Sequence, residues 1–244
     1  MSSFKIHTLD VKNALQNYIW LLEHEPSKTA LVVDPTEADL VIEYCHNHQL
    51  QLTDIWLTHW HKDHIGGVPE LQHVFDVKVY GPAAEQAKIP MLDHKLNDQD
   101  SIEFQGLTVN IIAVPGHTLG HIVYYIAELN TLFCGDTLFA MGCGRVFEGT
   151  HQQMFDSLQR LVALPDATQV YCTHEYTLSN AQFALHVAAD NHDIQQRYAA
   201  VKALRAKGQC TLPSSMELER KTNPFLLAKT VAEFQQLREL KDNF

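Results

Sequence analysis

The densest chemistry in this chain lies in Thr58-His59-Trp60-His61-Lys62-Asp63-His64-Ile65-Gly66-Gly67, where three histidines and an aspartate fall within six positions. Imidazole and carboxylate are donors that borderline divalent ions such as Zn²⁺ accept. His59 and His61, two apart on an extended segment, point to the same side. Asp63 and His64 lie in the turn that follows and can face a second point. The stretch therefore offers two pairs of ligands to two neighbouring ions. The chain has 15 histidines, so some clustering by chance is expected, and a lone His-x-His would read as solvated loop residues. The full His-x-His-x-Asp-His, placed between a strand and a glycine pair, points instead to a metal-dependent hydrolase.

The elements that position these residues are legible on both sides. Leu52 to Thr58 reads as a buried strand carrying Ile55, Trp56 and Leu57. After Gly66-Gly67, the residues Val68, Leu71, Val74 and Phe75 are spaced like the apolar face of a helix. A strand-to-helix loop is a place where a rigid scaffold commonly holds catalytic groups.

This motif resembles that of the metallo-β-lactamase superfamily. The resemblance implies further ligands downstream, each after a strand, and matching segments exist. Pro115-Gly116-His117-Thr118 follows Val109 to Val114; Cys134-Gly135-Asp136-Thr137 follows Thr131 to Phe133; Cys172-Thr173-His174-Glu175-Tyr176 follows Gln169 to Tyr171. Gly142-Cys143-Gly144-Arg145 and the ending Leu237-Arg238-Glu239-Leu240-Lys241-Asp242-Asn243-Phe244 narrow the likeness to the glyoxalase II (hydroxyacylglutathione hydrolase) family, over nearly the whole chain.

The resemblance implies that His59, His61 and His117 hold one metal, that Asp63, His64 and His174 hold the other, and that Asp136 bridges both together with a water. Two divalent ions with two carboxylates and one hydroxide leave a cluster near +1, which suits the anionic intermediate of acyl transfer. The metal set is expected to be two ions per chain, zinc first, with iron or manganese also compatible with these donors. His121, close to His117, reads as a residue behind the ligands, and Cys143 as a small loop residue. The family binds its carrier, glutathione, through positions that correspond here to Arg145, Phe147, Tyr176, Arg238 and Lys241. Relatives often have Tyr where Phe147 stands and Lys where Arg145 stands. Arg keeps the charge and adds a bidentate grip. Arg238 and Lys241 alone would read as a solvated helix face. Gln16, where relatives often have an acidic residue or Asn, is a further departure.

Composition agrees with this class. The 244 residues allow one large domain or a domain with an appendage, and 45% hydrophobic content is ample for a core. The net charge of −11, from 18 basic and 29 acidic residues, argues against nucleic acid as a partner. An anionic substrate must then be held by local cations. No apolar run approaches the roughly 18 residues needed to span a bilayer. The five cysteines form no Cys-x-x-Cys pair, and a reducing cytoplasm is the expected compartment. The pattern after Met1 enters a strand directly, without the apolar core of a signal peptide.

In order, Phe4 to Leu9, Tyr18 to Leu22 and Thr29 to Val33 read as an opening meander, with Asp34-Pro35 closing it. Residues 37–48 read as a helix. Two hairpins are expected around Gln105-Gly106 and Leu129-Asn130, and capping boxes at Thr150 and Thr230 open helices. From Ser179 onward only helical periods appear, and residues 213–224 read as an irregular connector. The expected architecture is mixed α and β (α/β, α+β). The resemblance makes it a four-layer αββα sandwich, with a catalytic region at 1–174 and a helical substrate-binding region at 175–244. It implies a monomer that cleaves S-D-lactoylglutathione to D-lactate and glutathione by a metal-bridging hydroxide, the second step of methylglyoxal detoxification, with Asp63 and Asp136 as catalytic carboxylates. A one-iron persulfide dioxygenase, a phosphodiesterase and a silent binding module are the rivals. The complete ligand set and the absence of a basic tract count against them.

Overall fold

The computed structural model describes residues 3–244. Its first sheet runs in chain order: β1 (Phe4–Asp10), β2 (Tyr18–His24), β3 (Thr29–Val33), β4 (Gln51–Trp56), β5 (Lys78–Pro82) and β6 (His94–Leu96). The first three strands form an antiparallel meander, and β3 to β6 are parallel. The second sheet begins with β7 (Ser101–Phe104), β8 (Leu107–Ala113), β9 (Ile122–Ile126) and β10 (Thr131–Gly135). A ribbon of β11 (Leu138–Phe139) and β12 (Gly142–Cys143) follows, and β13 (Gln169–Cys172) and β14 (Ser214–Ser215) complete the second sheet beyond β10. The helices are α1 (Asp39–His48), α2 (Lys62–Ile65), α3 (Val68–Val74), α4 (His151–Val162), α5 (Thr177–Val187), α6 (His192–Ala206), α7 (Met216–Thr222), α8 (Pro224–Leu227) and α9 (Val231–Asp242).

Strand alternation builds the layers. Tyr18, Trp20 and Leu22 of β2, Leu31 and Val33 of β3, and Trp56 of β4 enter the core shared with the second sheet. Their neighbours Ile19, Leu21, Ala30, Val32 and Ile55 face the other way, against Val41 and Cys45 of α1 and Val68 and Leu71 of α3. Successive residues of a strand point to opposite faces, so one apolar run serves two interfaces. Trp56 stacks on Tyr124 of the opposite sheet with ring centroids 4.9 Å apart, and the Tyr124 hydroxyl donates to Leu57 O at 2.9 Å. Helix α4 adds Met154, Leu158 and Leu161, packed with Phe225 and Phe234 of α8 and α9. The result is the expected αββα sandwich with helices at its C-terminal end.

Three local expectations need correction. Residues 213–224 are not irregular: Ser214 and Ser215 pair with Val170 and Gln169, extending the edge beside β13. Ser215 then caps α7 by accepting from Leu218 N, and Asn223 caps α8 by accepting from Phe225 N. Helix α1 starts at Asp39 rather than at Glu37, because the preceding backbone is committed elsewhere. Pro35 O accepts from Gly67 N at 2.8 Å, and a Cβ on Gly66 or Gly67 would collide with the backbone of residues 36–38. Thr150 and Gln153 form a full capping box, whereas at Thr230 only half of one exists, since Glu233 accepts from Lys229 N instead.

Candidate active site

The loop from Thr58 to Ile65 leaves β4 and turns into α2, so that four potential donors gather where the strand ends. His117 follows β8, Asp136 follows β10 and His174 follows β13. Seven side chains named from sequence thus meet at one edge of the sandwich. Gly135, at φ +49°, makes the turn to Asp136, and a side chain there would strike Thr58 Oγ1.

Four of the five histidines are oriented by what their other nitrogen does. Thr58 Oγ1 donates to Asp34 Oδ2 at 2.7 Å, so at 3.0 Å it accepts from His59 Nδ1–H. His64 Nδ1–H donates to Asp34 Oδ2 at 2.9 Å. His117 Nδ1–H donates to Arg145 O and His174 Nδ1–H to Leu15 O, both at 2.8 Å. These bonds fix the tautomers and turn the Nε2 lone pairs of all four rings inward.

The inward atoms form two groups. His59 Nε2 and His117 Nε2 each lie 3.0 Å from His61 Nδ1. His61 Nδ1 holds at most one proton, so it cannot satisfy both lone pairs. Asp63 Oδ2 stands 3.6 Å from His64 Nε2 and 3.5 Å from His174 Nε2. Asp136 splits between the groups: Oδ1 is 3.5 Å from His64 Nε2 and 3.3 Å from His174 Nε2, while Oδ2 is 3.4 Å from His117 Nε2. Ligands about 2.1 Å from a tetrahedral ion stand roughly 3.4 Å from one another. His64 Nε2 and Asp136 Oδ1 are buried without any hydrogen-bond partner, a costly arrangement unless a cation lies among them. The donor set fits divalent metal.

Charge follows the same division. Burial lowers the pKa values of His59, His61 (to about 4) and His117, leaving these rings neutral and available at pH 7. Burial also opposes charge on His64 and His174, but Asp136 outweighs it and raises both, with Asp34 adding to the effect on His64. Burial likewise opposes the Asp136 carboxylate, yet His174 and His64 hold it ionised. Cations and protons therefore compete at the second group.

Several supports were not apparent from residue spacing. Asp34, 1% exposed, accepts from Thr58 N and Oγ1 and from His64, tying the loop to β3. Asn17 Nδ2 donates to Asp63 Oδ2 at 3.2 Å. Glu148 accepts from Trp60 Nε1 and Leu119 N, both at 3.0 Å, and so joins the two loops that carry His59, His61 and His117. His121 lies behind the donor groups. Its ring stacks on His59 at 4.6 Å, and its Nε2 accepts from Asp136 N at 3.1 Å.

A cleft of roughly 600 Å³ opens from His117 and Asp136, and Arg145, Phe147, Tyr176, Arg238 and Lys241 all line it. Phe147, 60% exposed, has its ring 5.2 Å from that of His117. Tyr176 stacks on His174 at 4.7 Å with the rings parallel to within 1°. Arg145 is half exposed, and Lys241 Nζ donates to Ser179 Oγ at 3.0 Å. Arg238 differs from the solvated cation its spacing allowed: it is buried, donating through Nη1 to Cys143 O at 2.9 Å and through Nη2 to Asp242 Oδ1 at 2.8 Å.

Comparison with known proteins gives two family matches along the chain. Residues 13–174 match the metallo-beta-lactamase superfamily, and residues 175–244 match the hydroxyacylglutathione hydrolase C-terminus. A hydroxyacylglutathione hydrolase of Ectopseudomonas mendocina (strain ymp) is 57% identical over 211 residues, covering 86% of this chain and 81% of that protein. The chain belongs to the hydroxyacylglutathione hydrolase family. Another hydroxyacylglutathione hydrolase, from Synechococcus sp. (strain JA-2-3B'a(2-13)), is 46% identical and covers 93% of this chain and 96% of its own length. Among solved structures, ETHE1 from Myxococcus xanthus superposes with a TM-score of 0.74 at 26% identity, covering 96% and 90% of the two chains. The BLEG-1 B3 metallo-beta-lactamase, at 24% identity and a TM-score of 0.70 over 92% and 100%, shares the fold.

Proposed function

We propose that this chain hydrolyses S-D-lactoylglutathione to D-lactate and glutathione, the second step of methylglyoxal detoxification, in the cytoplasm and as a monomer. The observation that carries this reading is the cleft with Arg145 and Lys241 on its wall and the seven converging donors at its inner end. A glutathione thioester is an anion with its reactive carbonyl at one end, and the site pairs those two needs in that order.

His59, His61 and His117 would hold one ion, and Asp63, His64 and His174 the other, with Asp136 giving one oxygen to each. Zinc is the first choice, with iron or manganese as alternatives. Such ions supply a water acidic enough to attack at neutral pH and a Lewis acid for the thioester carbonyl. The residues of the chain do the rest. Asp63, with one oxygen held by Asn17, orients the attacking water. Asp136 keeps the two donor groups in register. Phe147 and Tyr176 flank the acyl-bearing sulfur and exclude bulk water. A thiolate leaves without a strong acid, because its conjugate thiol is already fairly acidic (pKa about 8.5). Arg145 and Lys241 bind the carrier's carboxylate, and Arg238 supports them. Residues 1–174 form the catalytic unit, and residues 175–244 supply most of the carrier site.

Loss of thioester absorbance from S-D-lactoylglutathione, followed before and after chelation, tests the reading. Rapid loss abolished by the chelator is the expected result. No loss from protein that retains two metals per chain would overturn the substrate assignment.

A further inference from the structure

Asp242, the last residue of α9, holds together the cations of the cleft. Its Oδ1 accepts from Arg145 Nε at 3.1 Å, from Arg238 Nε at 3.1 Å and from Arg238 Nη2 at 2.8 Å. One carboxylate oxygen thus joins two guanidinium groups that come from points 93 positions apart in the chain (238 − 145). Arg238 is spent in this arrangement, since Nη1 is taken by Cys143 O and the side chain is buried. Arg145 is not spent. Its Nε alone is engaged, and among the described residues its two Nη nitrogens have no hydrogen-bond partner. A guanidinium held through Nε keeps its Nη edge free, and that edge matches a carboxylate bidentately. Arg145 also lies 5.9 Å from the Phe147 ring centroid, which places it beside the inner end of the cleft.

We propose that Asp242 is a positioning residue for the carrier's carboxylate: it grips Arg145 by Nε, braces that grip on Arg238, and so presents the Nη edge of Arg145 to the substrate. Asp242 lines the same cleft, and its effect on the carrier's carboxylate runs through Arg145, since two like charges do not pair. It also tempers the mutual repulsion of Arg145, Arg238 and Lys241, three cations gathered in one cleft wall. Without it the exposed Arg145 side chain is free to swing into solvent, and the carboxylate must pay the cost of ordering it at each binding event. The inference rests on the reading of the cleft as a glutathione-thioester site.

The test compares wild type, Asp242→Asn, Arg145→Ala and the double variant on two substrates. One is S-D-lactoylglutathione; the other is the lactoyl thioester of a neutral thiol that lacks carboxylates. Asp242→Asn is expected to raise KM for the glutathione thioester roughly tenfold, the size of one charge-assisted hydrogen bond, with kcat moving far less. Inhibition by free glutathione weakens in parallel, and KM for the neutral thioester stays put. In the Arg145→Ala background the same substitution adds little, because the group it positions is gone. An unchanged or lowered KM, or an equal rise in both backgrounds, overturns the proposal. Should Asp242→Asn fail to fold, Asp242→Glu decides, since glutamate keeps the charge but its longer arm moves the carboxylate off Arg145 Nε. Its KM must rise by a similar factor, and an unchanged KM sinks the idea. If wild type turns over neither thioester, it is the substrate reading that falls. If it turns over both and Asp242→Asn matches it, only the role of Asp242 falls.

Discussion

Asp34 Oδ2 lies 2.9 Å from His64 Nδ1, with both side chains essentially sealed from solvent. The same carboxylate holds Thr58 by its backbone N–H and its hydroxyl, so it braces the start of the donor loop as well as one donor. Removing such a partner typically costs 10- to 100-fold in metal affinity. Asp34→Ala should therefore lower affinity by about that factor and reduce stability by roughly 1–3 kcal/mol through the orphaned donors. Competition against a chromophoric chelator, together with thermal unfolding, measures both. Wild-type affinity in the variant would show that Asp34 does not orient His64.

Among the described residues, Asp136 is the one side chain whose two oxygens face different donor groups. Asp136→Ala should cut turnover by roughly a thousandfold or more and lower the metal content of purified protein. Metal analysis beside a steady-state assay is the check. Full activity with normal metal content is incompatible with the site as described.

Lys241, if it contacts the carrier as proposed, should set the pH dependence of binding. Burial lowers its pKa, Arg238 pushes it down further, and Asp242 pulls it back up. The ammonium is charged below that lowered value and neutral above it. KM for an anionic thioester should thus be flat near neutrality and rise as pH climbs through a value below that of a free lysine, about 10.4. Lys241→Arg should remove this alkaline limb. A KM that is flat across the range in wild type would exclude Lys241 as a carrier contact.

Phe147 presents an exposed ring at the cleft with no polar atom to offer. Phe147→Tyr should lower KM by about two- to tenfold, the worth of one neutral hydrogen bond, and leave the fold alone. A KM that moves upward would mean that the added hydroxyl has no partner in the bound complex.

Much of the donor geometry was legible because strand ends place residues predictably: a ligand just after a buried apolar run emerges at the sandwich edge. The supports were less legible because they are long-range. Asp34-Pro35 reads as a turn; only the parallel pairing of β3 with β4 brings its carboxylate under Thr58 and His64. Arg238, by spacing alone, belongs to a solvated face beside its i+4 neighbour Asp242, and Cys143 becomes its partner only once α9 docks on the ribbon after β10. Ser214 and Ser215 are too few to show alternation, and their strand exists because β13 would otherwise leave an open edge.

The donors come from both halves of the sandwich. His59, His61, Asp63 and His64 follow a strand of the first sheet; His117, Asp136 and His174 follow strands of the second. A cation held among them is a non-covalent staple across the seam between the sheets. Metal supply thereby becomes a determinant of lifetime as well as of turnover. Each ion at a hundred times its dissociation constant adds about 2.7 kcal/mol to the folded state. In a metal-starved cell the same chain would lose that contribution, and its folded lifetime would shorten together with its turnover.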